Sequence, residues 1–140
     1  MKIKNLILIT ALFFLSGTFK GQSNNNWIPV LISTDGTNGN AGVEASYMLA
    51  KCNASDVVFI KLTNNNQYPV TAQWIDLVQT KDGKEHFGNS KVVSIKLGAK
   101  SETTGDCTGN TAQLIITLSD FGVDVKNFET VVGSNFYVAK

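Results

Sequence analysis

The chain has 140 residues, with 12 lysines, no arginine and 11 acidic residues, for a formal charge of +1. That length fits one domain, and that charge excludes a strongly basic nucleic-acid binder. One histidine and two cysteines are too few for a histidine-rich or four-cysteine metal site, so no metal or other cofactor is expected. A hydrophobic content of 43% with 16% charged residues suits a packed core rather than a disordered chain.

Residues 1–21 read as a secretory signal peptide. Lys2 and Lys4 form a positive start, Leu6 to Leu15 is apolar except for Thr10, and Ser16, Gly17 and Thr18 are small and polar. The apolar run is about half of what a membrane-spanning helix needs, so it reads as a cleaved segment rather than an anchor. Cleavage is expected after Gly21, leaving Gln22 first, although Phe19 sits where a small residue is preferred. No cysteine lies near this site, so a lipid anchor is not expected. The folded unit is then 22–140. Loss of Lys2, Lys4 and Lys20 leaves nine lysines against eleven acids, a charge of −2. Such a domain is a poor partner for nucleic acid or an anionic membrane surface. The expected location is the periplasm or the extracellular medium, with no stable membrane insertion after cleavage.

Beyond the signal, apolar and polar residues alternate with period two, the mark of half-buried strands. The first expected strand is 27–32, where Pro29 restricts it to a sheet edge. Asp35 to Asn40 is a loop by composition. Asp35, Asn38, Asn40 and Glu44 offer hard oxygen ligands, but not at the spacing of an EF-hand, so a solvated loop is the better account. Val43, Ala45, Tyr47 and Leu49 define a strand at 43–50. Asn53-Ala54-Ser55 matches the N-glycosylation triplet, which also occurs often by chance. Val58, Ile60 and Leu62 define 56–63, and an Asn-rich turn, Asn64 to Pro69, separates it from 70–79. Asp76 shares the parity of Trp74 and Val78, so it points inward or marks a strand edge or bulge. Asp82-Gly83 favours a hairpin turn because glycine accepts positive φ. His86 beside it reads as an exposed turn residue. Further strands are expected at 91–97, 112–118 and 134–139, with short ones near 85–87 and 101–105. Valine, isoleucine, threonine and aromatic residues dominate these runs, as a pleated surface favours.

One segment breaks the period. Val125, Phe128 and Val132 fall at i, i+3 and i+7, as on one face of a helix, between a capping Asp124 and a terminating Gly133. One or two helical turns lying on the sheets are expected there, kept short by β-branched Val125, Val131 and Val132.

Seven short strands with turns between them predict an all-β, antiparallel β-sandwich, with a closed barrel as the alternative. The stretch Val57 to Val78, a strand, a turn with Pro69 and a strand carrying Trp74, resembles an immunoglobulin-like or fibronectin-III-like domain at the level of fold. In an exported chain Cys52 and Cys107 are expected to form a disulfide. Each precedes a strong strand; in an immunoglobulin-like order these strands run in one direction and start at one end of the sandwich.

No Cys-x-x-Cys or Gly-x-Ser-x-Gly motif is present, and the acids are scattered. The expected function is therefore a non-catalytic binding or interaction module with a protein or carbohydrate partner. A structural component of the cell envelope and a small hydrolase using dispersed carboxylates are the alternatives. Strand residues are committed to the core, so partner contacts belong on loops. The candidates are Tyr68, in the Asn64 to Pro69 turn, and Phe121 and Phe128, in the long 120–135 connection. The competing account of both phenylalanines is that they fold back onto the core.

Overall fold

The computed structural model describes residues 26–32 and 39–140. The expected signal peptide, Asp35 and Asn38 lie outside the described residues. Among the described residues there are ten strands, two 3₁₀ turns and no α-helix, so no helix is long and apolar enough to cross a membrane.

The first sheet has the order β1 (Ile28–Pro29), β4 (Val43–Cys52), β5 (Ser55–Asn64), β8 (Glu102–Thr104). Two short strands extend it: β3 (Gly39–Asn40) on β4 and β9 (Ile115–Thr117) on β5. The second sheet has the order β2 (Leu31–Ile32), β10 (Phe128–Ala139), β6 (Val70–Thr80), β7 (Glu85–Leu97). Every pairing is antiparallel except that of β2 with β10. The two sheets do not close into a barrel.

The expected alternation fills the space between the sheets. Val43, Ala45 and Tyr47 of β4 and Val58, Ile60 and Leu62 of β5 share one core with Ala72, Trp74 and Val78 of β6 and Val131 and Phe136 of β10. Tyr47 meets Phe128 edge-on across the sheets, ring centroids 5.8 Å apart. Burial of this apolar surface is the main driving force for the fold. Leu49 shares the inward parity but is 43% exposed, near the end of its strand.

Several elements differ from expectation. The 27–32 strand breaks at Val30: Ile28–Pro29 joins the first sheet and Leu31–Ile32 the second. β7 absorbs both expected segments, 85–87 and 91–97. In place of a strand at 112–118 there is a 3₁₀ turn (Ala112–Leu114), then β9, then a second 3₁₀ turn (Leu118–Phe121). The alternation there is still real, because Leu114, Ile116 and Leu118 are all buried. Helical turns do not continue through 122–133. Asp124 instead accepts the Lys126 N–H at 2.8 Å in a local turn, and β10 begins at Phe128. Pairing with β6 overrides the helix-like spacing, and the valines that limited a helix suit a strand.

Cys52 and Cys107 are joined, with an S–S distance of 2.08 Å. Cys52 ends β4 and Cys107 lies between β8 and β9, so the bond ties a hairpin end to a loop. The strands that follow the two cysteines, β5 and β9, are antiparallel neighbours rather than strands of one direction. β5 and the Trp74 strand β6 lie in opposite sheets, whereas β4 and β5 are hairpin partners from Val43↔Asn64 to Cys52↔Ser55. The turn between them places Asn53 at φ 55°, a left-handed position that asparagine tolerates. The glycosylation triplet thus has a backbone role of its own.

Candidate functional site

The pairing of β6 with β7 is interrupted once. It runs from Val70↔Leu97 to Ile75↔Val92 and resumes at Leu77↔Phe87. Opposite Asp76 alone, β7 carries Gly88, Asn89, Ser90 and Lys91. This bulge is held locally: Asn89 Oδ1 accepts the Lys91 N–H at 3.0 Å, and Ser90 adopts φ 53°. Gly88 is where Phe121 packs. A Cβ there would lie 2.6 Å from Phe121 Cζ, so only glycine admits the ring at this distance.

Phe121 belongs to the second 3₁₀ turn, which with Ala112–Leu114 and β9 faces the bulge from the first sheet. Between them lies a cleft of about 460 Å³. One wall carries Asp76, Asn89, Ser90 and Lys91; the other carries Gln113, Thr117, Asp120 and Phe121. Ile115 and Ile116 border it, as do Ile75 and Val92, whose side chains the pairing register turns to the outer face of the second sheet.

Asp76 is the unusual group. It faces the core side of β6, and one of its oxygens accepts the indole N–H of buried Trp74 at 2.7 Å. Burial pushes its carboxyl up to about 6, and the Trp74 hydrogen bond pulls back against that rise. A carboxyl in this condition keeps its proton to a higher pH than an ordinary surface aspartate.

The residues singled out from sequence do not gather here. Phe121 does line the cleft, half-buried. Tyr68 is 39% exposed and is not among the lining residues; Lys140 Nζ lies over its ring, 4.3 Å from the centroid. The polarity of its loop has a structural use. The Asn64 side chain donates to the carbonyls of Tyr68 and Gly98 at 3.0 and 2.8 Å and accepts the Asn66 N–H at 3.0 Å. Phe128 is corrected: it is 6% exposed, packed on Tyr47, and is a core residue with no surface to offer a partner. His86 is half-buried on β7 rather than exposed, with Nε2 3.3 Å from Thr80 Oγ1.

A second, more open depression of about 450 Å³ lies near Ser55 and Lys126. Its Asp56 is paired with Lys51 at 2.7 Å. Among the described residues no three histidine, cysteine or acidic side chains gather as a metal site requires.

No family model, curated protein or solved structure matches this chain. The cleft is therefore read from its own chemistry. Sequence reasoning reached Asp76 through its parity with Trp74 and anticipated a bulge. It missed the cleft, because the bulge is on the partner strand and the opposite wall comes from the other sheet.

Proposed function

We propose that this chain is an exported, non-catalytic binding module that takes a hydroxyl-rich ligand, a carbohydrate, in the Asp76 cleft. The observation that carries the reading is the composition of the cleft. Asn89, Ser90, Gln113 and Thr117 line the cleft together with Phe121 and a carboxyl that burial disfavours as an ion. Amides and hydroxyls hydrogen-bond sugar hydroxyls, and an aromatic ring packs on the apolar face of a pyranose. Pockets of this size class hold small ligands through a few such polar groups. Export is supported by Lys2, Lys4 and the short apolar run to Leu15, and by a disulfide of the kind oxidising compartments allow.

The test is a titration of the purified protein with a panel of soluble oligosaccharides, read by indole fluorescence, since Trp74 contacts Asp76 directly. A binder from the panel should lose about tenfold or more in affinity with Phe121→Ala. The reading fails if no oligosaccharide perturbs the signal, or if Phe121→Ala binds as well as the parent.

Two observations favour the alternatives. A carboxyl that titrates near 6 suits a general acid, and Asp120 lines the same cleft, which is the case for a hydrolase. Cleavage of a bound oligosaccharide, abolished by Asp76→Asn, would establish that reading instead. The envelope-assembly reading draws on β7, which is an edge strand of thirteen residues. Its bulge, Lys91 and Lys96 work against strand addition at that edge.

A further inference from the structure

The outward face of the second sheet can be read row by row from its pairing register. Across the strands the rows are Thr130–Gln79–Glu85, then Leu31–Val132–Leu77–Phe87, then Ser134–Ile75–Val92, then Tyr137–Gln73–Ser94, then Ala139–Thr71–Lys96. The second row is entirely apolar across all four strands, although Leu77 in it is already covered at 4% exposure, and the third adds Ile75 and Val92. A sandwich ordinarily turns polar residues outward. Of the seven large hydrophobic residues exposed among the described residues, four lie here: Leu31 at 46%, Phe87 at 50%, Val92 at 62% and Tyr137 at 59%. Solvent-exposed apolar surface concentrated on one face marks a contact surface.

The arrangement of charge says what covers it. These rows contain one acid and one base, Glu85 in the first and Lys96 in the last, with only uncharged residues between. We propose that this face is the interface between two copies of the chain, packed sheet on sheet about a two-fold axis. An axis lying in the face, across the strands at the Ile75 row, reverses strand direction. It sets Glu85 of one copy against Lys96 of the other, twice, and lays the apolar row over Tyr137, Gln73 and Ser94. An isologous contact needs this self-complementarity. Three strands run the length of the face, β6 with eleven residues, and β2 adds only two residues. At about 4.8 Å between strands and about 3.4 Å per residue the face covers about 570 Å², below the roughly 800 Å² per partner of a standard interface and in keeping with a dimer that dissociates on dilution.

Sedimentation equilibrium of the purified chain, from about 1 to about 100 μM, tests this. A two-copy species that dissociates on dilution is expected. Val92→Glu places an unpaired charge in the contact and should weaken the dimer at least about tenfold. Lys96→Glu should weaken it too, and adding Glu85→Lys should restore it, because the swapped pair has the same geometry. Melting curves confirm that each variant folds; these side chains are exposed, so they should. A monomer throughout the range overturns the proposal. So does a dimer indifferent to Val92→Glu, or a charge-swapped double variant that stays as weak as Lys96→Glu alone.

Discussion

Asp76 works against the stability of the domain that holds it. Its carboxyl is raised from 3.8 to about 6 by burial, so the folded state prefers the protonated form. The favourable contribution is present below pH 3.8 and is lost as pH rises through about 6. The upper limit of that loss is about 3 kcal/mol. Asparagine keeps an acceptor for the Trp74 indole and cannot ionise. Asp76→Asn should therefore gain about 2–3 kcal/mol at pH 7.5, and almost nothing at about pH 3.5. Urea melts at the two pH values check this; an equal gain at both would remove ionisation as the cause. The inward parity of Asp76 was legible from Trp74 and Val78 alone. Its titration was not, because the desolvation depends on what surrounds it after folding. Phe128 shows the reverse case. Its spacing to Val125 and Val132 was visible, but β10 pairing with β6 decides its environment, and no local pattern reports a partner so far away in the chain.

At the scale of elements, the alternation in β4, β5 and β6 was enough to place those strands to within about two residues, since each has one face in the core. The hairpin at Asp82-Gly83 was equally legible. Gly83 adopts φ 79°, the Thr80 hydroxyl donates to Asp82 Oδ1 at 2.6 Å, and Lys84 sits 2.8 Å from the same carboxylate. Hydrogen bonds from Lys84 and Thr80 hold that carboxyl well below the usual range. The 112–118 region was read as one strand because 3₁₀ turns flanking a three-residue strand bury the same alternate residues. The disulfide was correct as a pair but not as a position. It staples the β4–β5 hairpin end to the β8–β9 loop, which leads into one wall of the cleft. Its cysteines are 55 residues apart, so the chain-entropy model assigns it about 4 kcal/mol. Cys52→Ser with Cys107→Ser should lower the unfolding free energy by about that amount in a denaturant melt. A loss below about 1 kcal/mol would mean that the unfolded chain is little constrained by the bond.

For the whole molecule, the two-sheet, all-β architecture followed from short alternating runs, whereas the strand order did not. The order depends on which edges meet, and period two is the same for every partner. The break at Val30, which sends one short segment into both sheets, has no period to reveal it. Export belongs to this scale too. Protein recovered from its own host should begin at about Gln22 by intact mass and N-terminal sequencing; full-length chain in the cytoplasm would refute processing. The position of β10 then sets a schedule. It occupies an interior place in the second sheet, flanked by β2 and β6, yet every other strand precedes it in the chain. A ribosome delivers it after all its neighbours. Until then β6 and β7 form a hairpin without its inner partner, and β2 has nothing to pair with. Two-stranded hairpins are marginal in water, and partners this far apart join slowly. The nascent chain is thus kept from finishing its fold until synthesis has passed residue 139. Under the export proposed above, topology itself would supply the delay.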